Sequence, residues 1–265
     1  MIISTKKIKK LKLDGFSLLE VAIVLCIIGV ISGVGLPALT TAIKQKRIHE
    51  TESNMEQITA SLAAYVMQNA KLPLAATPGA SAEEAGKSGD LAHGIVPYRT
   101  IGLSERTAKD GYNRWISYGV DVHLTRTIKI SDDDEQLQKN ADPIFAPNRD
   151  PFSSDRYFCG IKGGTHESLS VKNAHGHDVI DADSHDLIAF VLISHGASGA
   201  GSYDKNGAVQ PTSAPDKATN ADRNNNFIDH SPSFDFDDRV QWITRNNLLA
   251  IYAKKVCRQA IEENE

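Results

Sequence analysis

Residues 15–36 read GFSLLEVAIVLCIIGVISGVGL, and this stretch decides the architecture. From Phe16 to Leu36 the run is apolar apart from Glu20 and two serines. As a helix rising about 1.5 Å per residue, it crosses roughly 30 Å, the thickness of a bilayer core. Lys6, Lys7, Lys9, Lys10 and Lys12 lie just before it, against the single acid Asp14. The positive-inside rule keeps that basic flank in the cytoplasm and exports the rest of the chain. A secretory signal peptide needs an apolar region of only about 7–15 residues and a small-residue cleavage site. This run is longer, and no clear A-x-A follows it. A plain signal anchor fits the length but leaves Glu20 unexplained. An unpaired carboxylate in a membrane segment is costly and points to function.

The third reading rests on a resemblance. Gly15-Phe16-Ser17-Leu18-Leu19-Glu20 resembles the prepilin peptidase site of type IV pilins and type II secretion pseudopilins. In that family the peptidase cuts after the glycine and methylates the new N-terminal phenylalanine, here Phe16. The fifth mature residue is a glutamate, here Glu20. Gly29 and Pro37 also fall where these proteins commonly carry a glycine and a helix-bending proline. Asp14, beside the cleavage glycine, departs from the pattern. Cleavage would leave a cationic amine on Phe16, and Glu20 is the nearest carboxylate. When subunits stack, Glu20 of one chain can meet the Phe16 amine of its neighbour, because each buried charge is tolerable only when paired.

Beyond the membrane run, residues 38–70 continue as an amphipathic helix. Ile48, Met55, Ile58, Leu62, Tyr65 and Val66 form one apolar stripe. Pro37 removes a backbone donor, so a kink is expected there. Leu72-Pro73 ends the helix, and the Ala-, Gly- and Ser-rich residues 75–94 read as a long flexible loop. An apolar element follows at Ile95 to Leu103. Asp110-Gly111 signals a turn, and Trp115 to Leu124 reads as a strand. Residues 131–156, with the acidic run Asp132 to Glu135, read as a solvated loop, and Tyr157 to Ile161 as a short strand.

Asp186 to Ser194 (DLIAFVLIS) is the clearest β segment, apolar enough for burial on both faces, and His195 to Gly199 turns the chain. Phe236 to Ile243 is the last strand, and Arg245 onward a C-terminal helix. The Pro97-to-Leu103 element, the Asp110-to-Tyr118 turn and strand, and the run VLISHGASGAG at 191–201 also resemble minor pilins and pseudopilins, more loosely than the N-terminus does.

The net charge is −4 over 265 residues, and the lysines of the leader make the remainder more acidic still. No basic excess suggests nucleic acid as a partner. Of three cysteines, Cys26 lies in the apolar run. Cys159 and Cys257 can pair if the body occupies an oxidising compartment; the alternative is two separate thiols. Such a bridge could add up to about 4–5 kcal/mol in the chain-entropy model.

Two clusters have ligand chemistry. His175, His177 and Asp178, with Asp181, Asp183, His185 and Asp186, could hold Zn²⁺, though loops collect such residues anyway. Asp222, Asn224, Asn226 and Asp229, with Asp235 or Asp237, could form an irregular Ca²⁺ site. Phe227 and Ser233 occupy the positions where an EF-hand needs glycine and glutamate, so that motif is excluded. Ser194-His195 does not make a nucleophile–base pair, because adjacent strand residues point to opposite faces. No phosphate-cradling or dinucleotide fingerprint is present, and no catalytic site is expected.

The expected fold is α+β, a long N-terminal helix packed on an antiparallel sheet, with long loops and a C-terminal helix. The expected divisions are a removed leader at 1–15, a transmembrane and assembly helix at 16–37, an amphipathic helix at 38–70 and a globular domain at 71–265. The family resemblance implies a minor pilin or pseudopilin. It implies a single pass in the inner membrane with a periplasmic body before assembly, and a place in a pilus or pseudopilus after it. The implied partners are prepilin peptidase, other pilin subunits, the inner-membrane assembly platform and membrane lipid. The alternatives are a pilus-associated adhesin, whose loops at 75–94 or 200–235 bind a ligand, and a membrane-anchored hydrolase.

Overall fold

A computed structural model describes residues 16–69, 71–125, 169–180, 187–248 and 250. Its first helix, α1, spans Leu18–Asn69. It begins where Ser17 caps it: the Ser17 hydroxyl and carbonyl accept from the backbone N–H of Glu20 at 3.2 and 3.0 Å. Ser17-Leu18-Leu19-Glu20 thus has the residue types of a capping box, and Glu20 sits in the first turn, where an acid favours the helix. Pro37 lies inside α1, and Thr40 and Thr41 both donate their hydroxyls to its carbonyl.

The chain divides into two compact units, one ending at Lys46 and one beginning at Arg47. In the first, large apolar side chains including Leu19, Leu25, Ile28, Val30 and Ile31 are exposed. Mean hydropathy here reaches 2.5, so the helix is long and apolar enough to cross a membrane.

In the second unit α1 turns amphipathic. Met55, Ile58, Leu62, Ala63 and Val66 are buried, whereas Glu52, Glu56 and Gln57 face outward. The helix stops at Asn69, whose amide donates to the Tyr65 carbonyl at 2.9 Å, shortly before Pro73.

The main sheet is antiparallel, in the order β1-β2-β4-β6, with β1 at His93–Ile95, β2 at Ser117–Val120, β4 at Ile188–Ser194 and β6 at Arg239–Thr244. The fold is α+β. All seven residues of β4 are buried, as its continuous apolar run predicts. A bulge between Ile188 and Phe190 resets the strand's alternation. Ala189, Phe190 and Leu192 therefore join Tyr118, Val120 and the α1 stripe, while Ile188, Val191 and Ile193 join Leu169, Val171 and Phe227. Burial of each large apolar side chain contributes about 1.5–3 kcal/mol.

That second layer is a finding beyond the expected antiparallel sheet. Strands β3 (Ser170–Lys172) and β5 (Asn226–Ile228) pair in parallel. A short helix, α2 at Pro215–Ala221, precedes β5.

Three expectations need adjustment. Residues 75–94 are not a free loop: Ala75 and Ala76 are fully buried and bridge Leu91 and Ile95, and Gly89 donates to the Ala75 carbonyl at 3.0 Å. The strand expected to reach Leu124 ends at Val120, and Val122–Thr125 is a 3₁₀ turn. Val120 pairs with Phe190, so the ladder runs out where β4 bulges. Where the C-terminal helix is expected, the structure describes only a four-residue helix, α3 at Arg245–Leu248; the expected helix from residue 251 onward lies outside the described residues. The 131–156 loop and the Tyr157 to Ile161 strand also lie outside them.

Tyr118 fixes the helix end to the sheet, its hydroxyl donating to the Pro73 carbonyl at 3.0 Å. Burial, with a smaller contribution from Tyr65, pushes the Tyr118 phenol well above its ordinary value. The unfolded chain ionises this group from about pH 10 while the fold resists, so stability falls as pH rises through that value. Tyr118→Phe is expected to cost about 1 kcal/mol at neutral pH through the lost hydrogen bond. It is also expected to show a smaller drop in denaturation midpoint than the parent between about pH 9 and 11.

Candidate functional site

Two places carry unusual chemistry. The first is the start of α1. Phe16 and Glu20 are described, and Phe16 is 80% exposed; Gly15 lies outside the described residues. Glu20 is the third residue of α1, four positions after Phe16, and its backbone N–H is held by Ser17. Its carboxylate is therefore presented at the head of an exposed apolar helix segment.

The second lies beneath the His195–Gly199 turn that follows β4. Ser194 ends β4 and His195 begins the turn, and the two side chains take different partners. Ser194 donates to the Asp110 carboxylate at 2.7 Å. His195 instead faces β2, where its Nε2 lies 3.0 Å from the Ser117 hydroxyl. The His195 side chain is fully buried, with Nδ1 3.6 Å from Asp238 Oδ2.

Asp238, also fully buried, accepts from Asn220 Nδ2 at 3.0 Å and from Lys217 Nζ in direct contact. Lys217 is 3% exposed and reaches Asp237 at 2.6 Å and the His195 carbonyl at 3.3 Å. Burial raises the Asp237 carboxyl, but hydrogen bonds from Lys217 and from the Ser198 amide and hydroxyl outweigh it and hold the group below its ordinary value. Asp237 therefore stays ionised beside the ammonium.

Gly196 belongs to this turn for a backbone reason. Its φ is +61°, and a Cβ there would run into the Asp237 backbone and carboxylate. The Arg114 guanidinium secures the outer side by donating to the Gly196 and Ala197 carbonyls.

Sequence reasoning singled out His195 and Asp237 but missed Ser117, Lys217, Asn220 and Asp238. The adjacent acids before β6 were visible as residues. Their partners come from α2 and from the His195–Gly199 turn, and no local spacing announces that meeting.

An open cleft of about 540 Å³ lies beside this region, lined by Trp115, Arg114, Tyr203, Lys205 and Gln210 among others. Trp115 stacks on Tyr98 at 5.9 Å and carries Lys109 Nζ 4.4 Å from its ring centre.

The candidate ligand clusters behave differently. Asp222 accepts from the backbone and side-chain nitrogens of Asn224, and Asn224 in turn accepts from the Asn226 N–H at 2.7 Å. Asp229 accepts from the Trp242 indole at 3.2 Å. Asp237 is engaged by Lys217 and Ser198. The oxygens of Asp222, Asn224, Asp229 and Asp237 thus have protein donors.

His175 and His177 stack at 6.4 Å, and Asp178 accepts from the Ser170 hydroxyl. Among the described residues, no group of three or more His, Cys, Asp or Glu side chains is placed to share a metal ion. Asp181, Asp183, His185 and Asp186 lie outside them, as do Cys159 and Cys257; Cys26 is a free, exposed thiol.

No family model, curated protein or solved structure matches the chain.

Proposed function

We propose that the chain is a structural subunit of a type IV pilus or type II secretion filament, a minor pilin or pseudopilin, assembled through its N-terminal helix. The observation that carries this reading is Phe16 and Glu20 at the head of a helix that is apolar and exposed, directly after Gly15 in the sequence. Such a surface needs a partner, either lipid or the equivalent helices of other subunits. The single carboxylate within it needs a cation.

In this reading the route has three steps. Prepilin peptidase cuts after Gly15 and methylates Phe16, the helix waits in the inner membrane, and an assembly platform stacks it into the filament. The body after Pro37 is 228 residues by numbering, large for a packing unit alone, which favours a minor or tip position. The second reading, a pilus-associated adhesin, is favoured by the cleft of about 540 Å³ lined in part by residues 198–211.

Mass spectrometry of the mature N-terminus is the direct test. The expected product begins at an N-methylated Phe16. An intact Met1 or a terminus at residue 35 or later would overturn the proposal.

A further inference from the structure

We propose that Lys217 and Asp238 condense to an intramolecular isopeptide bond, with Asp237 as the proton carrier. The reaction would lock α2 to the segment entering β6 and close a covalent loop over residues 217–238.

The geometry supplies each requirement of that chemistry. Amine and acid are in direct contact, so the Asp238 Cγ lies one bond beyond the oxygen that Nζ already touches. Two groups held in this way react as an intramolecular pair at very high effective concentration. Both are removed from water, at 3% and 0% exposure. Burial leaves little water to reverse the condensation, and it penalises the ion pair against a neutral amide. A second carboxylate oxygen, of Asp237, stands 2.6 Å from the same nitrogen. Asn220 Nδ2, 3.0 Å from Asp238 Oδ2, steadies the oxygen that remains as the amide carbonyl.

The step balances from the resting ion pair. As the Lys217 nitrogen attacks Asp238 Cγ, one of its protons passes to Asp237. Asp237 returns that proton to Oδ1 of the tetrahedral adduct. A second proton from the nitrogen follows by the same route, and the Cγ–Oδ1 bond breaks to release water. The nitrogen keeps its third proton as the amide N–H, and Asp237 ends as it began. No oxidant or external reagent takes part.

Surrounding groups fit this assignment. Among the described residues His195 Nδ1, 3.6 Å from Asp238 Oδ2, makes no hydrogen bond, so Asp238 is held by Lys217 and Asn220. The His195 carbonyl accepts from Nζ and holds the amine over the carboxyl.

The test is peptide mapping of the purified full-length chain by mass spectrometry, and it is independent of the filament reading. Trypsin cannot cut after an acylated Lys217. The linked protein is expected to give a branched species joining residues 206–223 to 224–239, lighter than the sum of its parts by one water. Lys217→Arg, which keeps the charge pair, is expected to give only linear peptides. Asp237→Asn is expected to slow the linkage at least tenfold while Lys217 and Asp238 remain in place. Recovery of linear 206–217 and 218–223 from the folded parent, without the branched species, would overturn the proposal.

Discussion

Glu20→Gln is expected to leave the chain in the membrane and to lower its incorporation into filaments by about a hundredfold or more. In the proposed packing the Glu20 carboxylate of one subunit neutralises the Phe16 amine of the next. Removing one member of a buried charge pair costs about 3–5 kcal/mol, because the other charge is left uncompensated. Each 1.4 kcal/mol is a factor of about ten in an equilibrium.

Glutamine is the informative substitution because position 20 also lies in the first turn of α1. It occupies the third position after the Ser17 cap, and glutamine serves a capping box as well as glutamate does. The variant thus removes the charge and spares the helix start. Incorporation is measured by immunoblotting sheared filaments against the membrane fraction. Normal incorporation would reduce Glu20 to a helix-start residue and remove the assembly chemistry from the proposal.

The parts of the fold legible from sequence are those with long periodic signals. The α1 helix was readable because an apolar run passes into a stripe of Met55, Ile58, Leu62 and Val66, and β4 because seven residues carry almost no polar interruption. Strands β3 and β5 were not readable, being three residues each and parallel across more than fifty positions of chain. The α2 helix was hidden by its Pro-, Thr- and Asp-rich setting, although Pro215 stands at its first turn, where proline is favourable. Loop composition misled at 75–94. Alanine is small enough to be buried against backbone, so Ala75 and Ala76 became core where the composition suggested mobility.

Legibility of the candidate sites follows the same division. Gly15, Phe16 and Glu20 lie within six residues, so the motif they form is visible in the sequence alone. Asp222, Asn224, Asn226 and Asp229 look like a ligand loop on spacing, and the hydrogen bond from the Trp242 indole of β6 to Asp229 is not announced by that spacing. Lys217 and Asp238 are twenty-one positions apart by numbering and meet only because α2 and the start of β6 converge on the His195 turn.

Asp110→Ala is expected to destabilise the body by about 3–5 kcal/mol, a large share of the roughly 5–15 kcal/mol that domains possess. Asp110 is 4% exposed and serves three donors. Its Oδ1 accepts from the backbone N–H of Tyr112 at 2.9 Å and of Arg114 at 3.0 Å, and its Oδ2 from the Ser194 hydroxyl at 2.7 Å. Alanine leaves all of them without that partner in a site largely closed to water, and each costs about 1–3 kcal/mol before relaxation.

The damage extends to the helix, because the same turn is its docking point. Thr51 accepts from the Gly111 N–H at 3.0 Å, Asn54 donates to the Lys109 carbonyl at 2.7 Å, and a Cβ on Gly111 would collide with the Arg47 backbone. Denaturant titration of the purified chain in detergent reads the loss as a lower midpoint. Asp110→Asn is expected to lose less, since its amide oxygen can keep the two backbone donors while its NH₂ cannot accept from Ser194. A midpoint for Asp110→Ala within about 0.5 kcal/mol of the parent would show that the turn holds α1 to the sheet without its carboxylate.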